Sequence, residues 1–159
     1  MMYPWPERVI PILVMLVGLM TPQFEQAVPG ATMKPYSGYR TRAEQTAYYA
    51  QGRLSLAQVN EYRRTAGLDP ISARENRHRI TLALPGESEH NSNPSPAVDI
   101  VVVCHGEELW AYEADCDRDG VSDYLEMGRI GEKAGLVWGG RWRGFPDIGH
   151  LELPPKGAR

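Results

Sequence analysis

The chain of 159 residues holds only four histidines and two cysteines, and each scarcity removes some chemistry from consideration. Cys104 and Cys116 do not form a CxxC pair, which argues against a zinc–thiolate centre or thioredoxin-like chemistry. Their spacing does not decide between a disulfide and free thiols; free structural thiols are the expectation. No block of Lys and Arg occurs and the formal net charge is −3, so a face that tracks nucleic-acid phosphates is not expected. Internal repeats and low-complexity linkers are also missing. No apolar run reaches the roughly 20 residues of a stable membrane span. The strongest run, Val9 to Met20, has the length of a secretory core and follows Arg8, but Glu7 offsets that charge and no small-x-small cleavage site follows closely. A buried core helix is the expectation, with Pro6 near its first turn and Pro11 restarting or bending it; export through this segment is the alternative.

A composition of 42% hydrophobic and 23% charged residues fits one domain, 1–159, built around one core. Thr41 with Glu44 forms a capping box for a helix through Gln51, ended by Gly52. Ser55 caps a second helix over Leu56 to Ala66, stopped by Gly67. Met33 to Tyr39 reads as extended, Pro22 to Thr32 as a loop and Ile80 to Leu84 as a short strand before the Pro85-Gly86 turn. The β-branched run in Pro96 to Cys104 carries the clearest strand pattern. Val121 to Ala134 reads as helix, and Leu136 to Trp138 and His150 to Leu153 as short strands. Without a regular βαβ alternation the reading is α+β, a small antiparallel sheet flanked by helices.

Residues suited to a metal fall in two clusters. Ser88-Glu89-His90-Asn91 is followed by Ala97-Val98-Asp99-Ile100, and later comes Asp147-Ile148-Gly149-His150-Leu151-Glu152-Leu153. Two imidazoles and a carboxylate with an open fourth position form a catalytic rather than a structural type of zinc site. Such a metal acidifies water and polarises a carbonyl, and a neighbouring carboxylate must then move the proton. Asp99 is the most telling member, because a carboxylate beside the apolar run Ile100 to Val103 needs a partner. His78 and His105 fit no motif and are expected to be exposed.

The order of these segments resembles the VanY-like zinc peptidases, a family of D-Ala-D-Ala carboxypeptidases and phage L-alanyl-D-glutamate endopeptidases. Ser37-Gly38-Tyr39-Arg40-Thr41 resembles its SGYR motif, with Glu44-Gln45 and Tyr49-Ala50-Gln51-Gly52-Arg53 following. Ser88 to Asp99 is similar to its SxHxxGxAxD block, Gly135 to Gly140 to its WGG segment, and Asp147 to Glu152 to its DxxHxE segment. The resemblance covers about residues 37 to 153. It implies a hedgehog/DD-peptidase-like fold and a monomer acting on peptidoglycan stem peptide. It implies His90, Asp99 and His150 as zinc ligands, Asp147 as acid/base, Arg40 on the substrate carbonyl and its oxyanion, and Ser88 on the substrate side. Glu152 is expected to support His150 from behind. Eight residues separate His90 from Asp99 where the family has six including a glycine, so Pro94 and Pro96 are expected to bulge outward.

Asp115 to Glu126 reads DCDRDGVSDYLE, an EF-hand-like calcium loop. Asp115, Asp117, Asp119, Asp123 and Glu126 supply carboxylates, Val121 a backbone carbonyl, and Gly120 the sharp turn. So many acids in one loop repel one another unless a cation neutralises them. The leading expectation is therefore an endolysin-type peptidase, held in the host cytoplasm until release to the wall, cutting L-Ala-D-Glu and using zinc and calcium. A D-Ala-D-Ala carboxypeptidase and a non-catalytic metal-binding module are the alternatives.

Overall fold

A computed structural model describes residues 3–155. The apolar run becomes α1 (Pro11–Ala27), starting on Pro11 at its first turn and burying Leu13, Val17, Met20 and Phe24 along one stripe. Each such side chain contributes about 1.5–3 kcal/mol on burial. That stripe explains a correction: Pro22 sits inside the helix rather than opening a loop. Its missing N–H leaves the carbonyl of residue 18 without the usual helical donor. The next turn still anchors itself through wholly buried Phe24. No helix among the described residues is long and apolar enough to cross a membrane.

The sheet has five strands, all antiparallel: β1 (Ala31–Ser37), β2 (Ala97–Cys104), β3 (Glu107–Leu109), β4 (Val137–Trp138) and β5 (His150–Glu152), in the order β1-β2-β5-β4 with β3 also pairing β2. This is the α+β arrangement expected. Strand β2 is buried on both faces. Val98, Ile100 and Val102 enter the core with α1 and with α4 (Asp123–Lys133), while Asp99 points to the opposite face. Helices α2 (Arg42–Ala50) and α3 (Leu56–Thr65) begin at Thr41 and Ser55, each with the full capping box.

Two further expectations need correction. Ile80 to Leu84 forms no strand; side chains hold it instead, Gln45 Nε2 donating to the Ala83 carbonyl (2.8 Å) and Arg53 Nη2 to that of Thr81 (3.0 Å). Cys104 and Cys116 are not free thiols but a disulfide, because the hairpin into β3 and the segment after it return Cys116 to within 5.7 Å (Cα–Cα) of Cys104. A loop of this size contributes about 3 kcal/mol by restricting the unfolded chain. The long His90–Asp99 connection bulges outward at exposed Ser92, Asn93 and Pro94, as expected, and turns back into the core at Ser95, which is fully buried and bridges Val9. His78 and His105 are exposed, as expected.

Candidate metal centre and cleft

Strand register builds the centre. Asp99 on β2 is directly opposite His150 on β5, so the two side chains share a face, and Ser37 of β1 flanks Asp99 on its other side. His90 arrives on a single 3₁₀ turn, Glu89–Asn91, whose cap is Ser88: its hydroxyl accepts from the His90 N–H at 3.3 Å. The Arg40 N–H donates to the His90 carbonyl (2.7 Å), tying this turn to the SGYR segment. The three side chains are nearly sealed, at 2%, 4% and 4% exposure for His90, Asp99 and His150.

Their donor atoms form a triangle. His90 Nε2 lies 3.1 Å from Asp99 Oδ1 and 3.2 Å from His150 Nδ1, and the last edge, His150 Nδ1 to Asp99 Oδ1, is 3.2 Å. The far nitrogens are already engaged. His90 Nδ1 is 2.6 Å from the Gly38 carbonyl, and His150 Nε2 is 2.8 Å from Glu152 Oε2. If each far nitrogen donates to its oxygen, each near nitrogen presents a lone pair. Lone pairs of two imidazoles and a carboxylate at this separation repel unless a cation sits among them. Tetrahedral zinc with ligands at about 2.0–2.1 Å places neighbouring donors about 3.3 Å apart, so the residues fit the ion. Glu152 thus lies where the sequence places it, behind His150.

Without an ion, hydrogen bonds among these groups take its place. Burial alone would raise the Asp99 carboxyl, but hydrogen bonds with His150 and His90 outweigh it and hold the group far below its usual range. Burial alone would lower His150, yet its contacts with Asp99 and Glu152 lift it to about 9. Asp147 is pushed up, first by burial and then by the Asp99 charge. Its backbone is fixed by a bond from its N–H to the Gly139 carbonyl (3.0 Å). The WGG and GH glycines have a spatial reason: a Cβ on Gly139 would stand 2.6 Å from the Asp147 carbonyl oxygen, and one on Gly149 would stand 2.6 Å from that of Ile100. Trp138 Nε1 donates to the Ile148 carbonyl (2.8 Å), pinning the stretch between Asp147 and His150.

The centre opens into a cleft of about 940 Å³, whose lining includes Arg40, Ser88, Asp147 and the 80–83 segment. Arg40, expected to face a substrate carbonyl, spends much of its guanidinium on the protein. Nη2 donates to Asp99 Oδ2 (3.2 Å) and Ser37 Oγ (3.4 Å), and Nη1 donates to Gln45 Oε1 (3.0 Å). Gln45 is fully buried and joins Arg40 to the cleft wall, a role its sequence position did not reveal. A polar residue on the buried face of α2 was the available clue. Trp142, also not foreseen, lies with its ring 4.8 Å from that of His150.

The acidic loop is a separate cluster. Oxygens of Asp115, Asp117 and Asp123 lie within 4.8 Å of one another, whereas Asp119 and Glu126 stand outside that set. Asp119 Oδ1 accepts from the Val121 N–H (2.7 Å), and both Asp123 oxygens accept from the Cys116 N–H (3.0 and 3.2 Å). Glu126 Oε2 is buried without a partner. Burial, followed by the neighbouring acids, pushes Asp123 and Glu126 upward.

Comparison with known proteins gives three results. Residues 84–153 match the family described as D-alanyl-D-alanine carboxypeptidase, a stretch that contains all three corners of the triangle and Asp147. Among curated proteins, the peptidoglycan L-alanyl-D-glutamate endopeptidase CwlK of Bacillus subtilis (strain 168) is 32% identical over 119 residues, 74% of this chain; the chain spans 58% of that relative's length. Among solved structures, the Serratia marcescens L-Ala D-Glu endopeptidase ChiX aligns with a TM-score of 0.49 and 20% identity, over 92% of this chain and 81% of that one.

Proposed function

We propose that the chain, whose residues 84–153 match the family described as D-alanyl-D-alanine carboxypeptidase, is a zinc-dependent peptidoglycan peptidase of the VanY-like kind that cuts between L-Ala and D-Glu of stem peptides. The observation that carries this reading is the sealed triangle of His90 Nε2, Asp99 Oδ1 and His150 Nδ1 with Asp147 beside it at the cleft. Bound zinc would supply Lewis acidity to the scissile carbonyl and lower the pKa of a water. Asp147 takes the proton of the attacking water and returns it to the departing amine, a role suited to a carboxyl held above its usual range. Arg40 orients Asp99 and faces the cleft with its remaining N–H groups. Ser88 serves first as the cap that sets His90 and also lines the cleft.

The choice of bond follows the named relative and is tested on purified cell wall. Digestion by zinc-loaded protein should expose new glutamate amino ends, detectable by amine labelling. Release of free D-Ala without them would transfer the assignment to the carboxypeptidase branch. The resemblance of the WGG and DxxHxE segments to phage endopeptidases favours an endolysin setting, in which expression together with a membrane-permeabilising protein lyses the host.

Zinc uptake should depend on pH. With His150 at about 9 in the metal-free protein, its proton must leave when the ion enters. Chelator competition should therefore show zinc affinity rising about tenfold per pH unit between pH 6 and 8. A flat profile would contradict this protonation state.

The proposal extends to calcium in the Asp115–Glu126 loop, supported by the three clustered aspartates and the unpaired buried oxygen of Glu126. A hundredfold excess of calcium over its Kd stabilises by about 2.7 kcal/mol, or roughly 5–10 °C in Tm for a domain of this size. Glu126→Gln should remove that shift while leaving the metal-free Tm unchanged or higher. An unchanged calcium shift would exclude Glu126 as a ligand.

A further inference from the structure

Strand β1 carries one irregularity, and it falls at the cleft. Pro35 pairs with Ile100 and Ser37 with Asp99, so Tyr36 is an extra residue with no counterpart on β2. Such a bulge re-aims side chains. In a regular strand, neighbours point to opposite faces; here Tyr36 and Ser37 both line the cleft, on either side of the break. Trp110 holds the Tyr36 ring edge-on, with centroids 5.1 Å apart and planes at 76°. Both rings are exposed, at 46% and 57%, so the pair forms a rim and not a piece of core. The charges of Asp99, Asp147 and Arg40 reach the phenol. A tyrosine hydroxyl is protonated at neutral pH and has one hydrogen to donate.

The centre has use for such a donor. Arg40 Nη2 has two hydrogens, which go to Asp99 and Ser37, and one of the Nη1 hydrogens goes to Gln45. A guanidinium so engaged in setting Asp99 has less to offer a carbonyl oxygen that gains charge during attack. We propose that Tyr36 donates its hydroxyl hydrogen bond to the substrate carbonyl oxygen in the tetrahedral transition state, beside Arg40, with the β1 bulge and Trp110 aiming it. This rests on the peptidase reading above. A donor aimed where charge develops accelerates the step because it is already oriented in a partly dry site.

The test compares the zinc-loaded full chain with its Tyr36→Phe variant, which keeps the ring against Trp110 and removes only the hydroxyl. On a stem peptide containing L-Ala–D-Glu, kcat should fall by about 10- to 100-fold, towards the range known for loss of a single oxyanion donor. KM should stay within about twofold, as for an interaction made only in the transition state. Zinc content and Tm should not move. Calorimetry supplies a readout independent of turnover: a phosphinate analogue of the L-Ala–D-Glu bond, tetrahedral and anionic, should bind the variant at least about tenfold more weakly. A variant that matches the wild type in kcat and phosphinate affinity, or that raises KM alone, overturns the role of Tyr36. A wild-type protein that neither cleaves the peptide nor binds the phosphinate overturns the peptidase reading, and this role with it.

Discussion

Asp147→Asn should leave the protein folded and zinc-loaded while lowering kcat by about 10²–10⁴-fold, the usual contribution of a positioned acid/base. The substitution keeps shape and polarity and removes only the capacity to take a proton. Its backbone contact survives, because that bond runs from the Asp147 N–H to the Gly139 carbonyl. KM should change little, since proton transfer belongs to the transition state. Steady-state kinetics on a stem peptide, with metal content measured on the same samples, decides it. Activity within tenfold of wild type would place the base elsewhere, with Glu89 or Glu152 of the cleft lining the next candidates.

His150→Ala should abolish both zinc binding and activity. The variant removes one corner of the triangle and the side chain that links Asp99 to Glu152. Two donors, His90 and Asp99, then remain for an ion that takes three protein ligands in catalytic sites. Glu152→Gln provides a graded comparison: the Nδ1 corner stays, but the carboxylate that orients the ring is lost, and zinc affinity should drop about 10–100-fold. Metal analysis after dialysis should thus read about one zinc for wild type, none for His150→Ala, and a value that depends on free zinc for Glu152→Gln. Full retention of zinc by His150→Ala would show that the triangle is not the binding site.

Local rules made much of this fold legible. Capping boxes at Thr41 and Ser55 set two helix starts, and the β-branched run of β2 marked the central strand. Tertiary burial overrode local grammar at Pro22, where buried Met20 and Phe24 anchor the helix on either side. The disulfide lay beyond reach because it depends on where the chain returns after β3, not on the spacing of Cys104 and Cys116. At the centre, residue types and order identified the triangle and Glu152. The contacts of Arg40 did not follow from the motif: it braces Asp99 and Gln45 as well as facing the cleft. Tyr36 was hidden too, since a bulge is a property of register between two strands and leaves no mark on one of them.

The central claim is that one zinc ion sits at the meeting point of three named atoms. Crystals of the zinc-loaded protein, measured on both sides of the zinc absorption edge, test it most directly. A single anomalous peak should lie about 2.0–2.2 Å from His90 Nε2, Asp99 Oδ1 and His150 Nδ1. A peak on His150 Nε2, at the Cys104–His105–Cys116 cluster, or nowhere in the cleft would contradict the account.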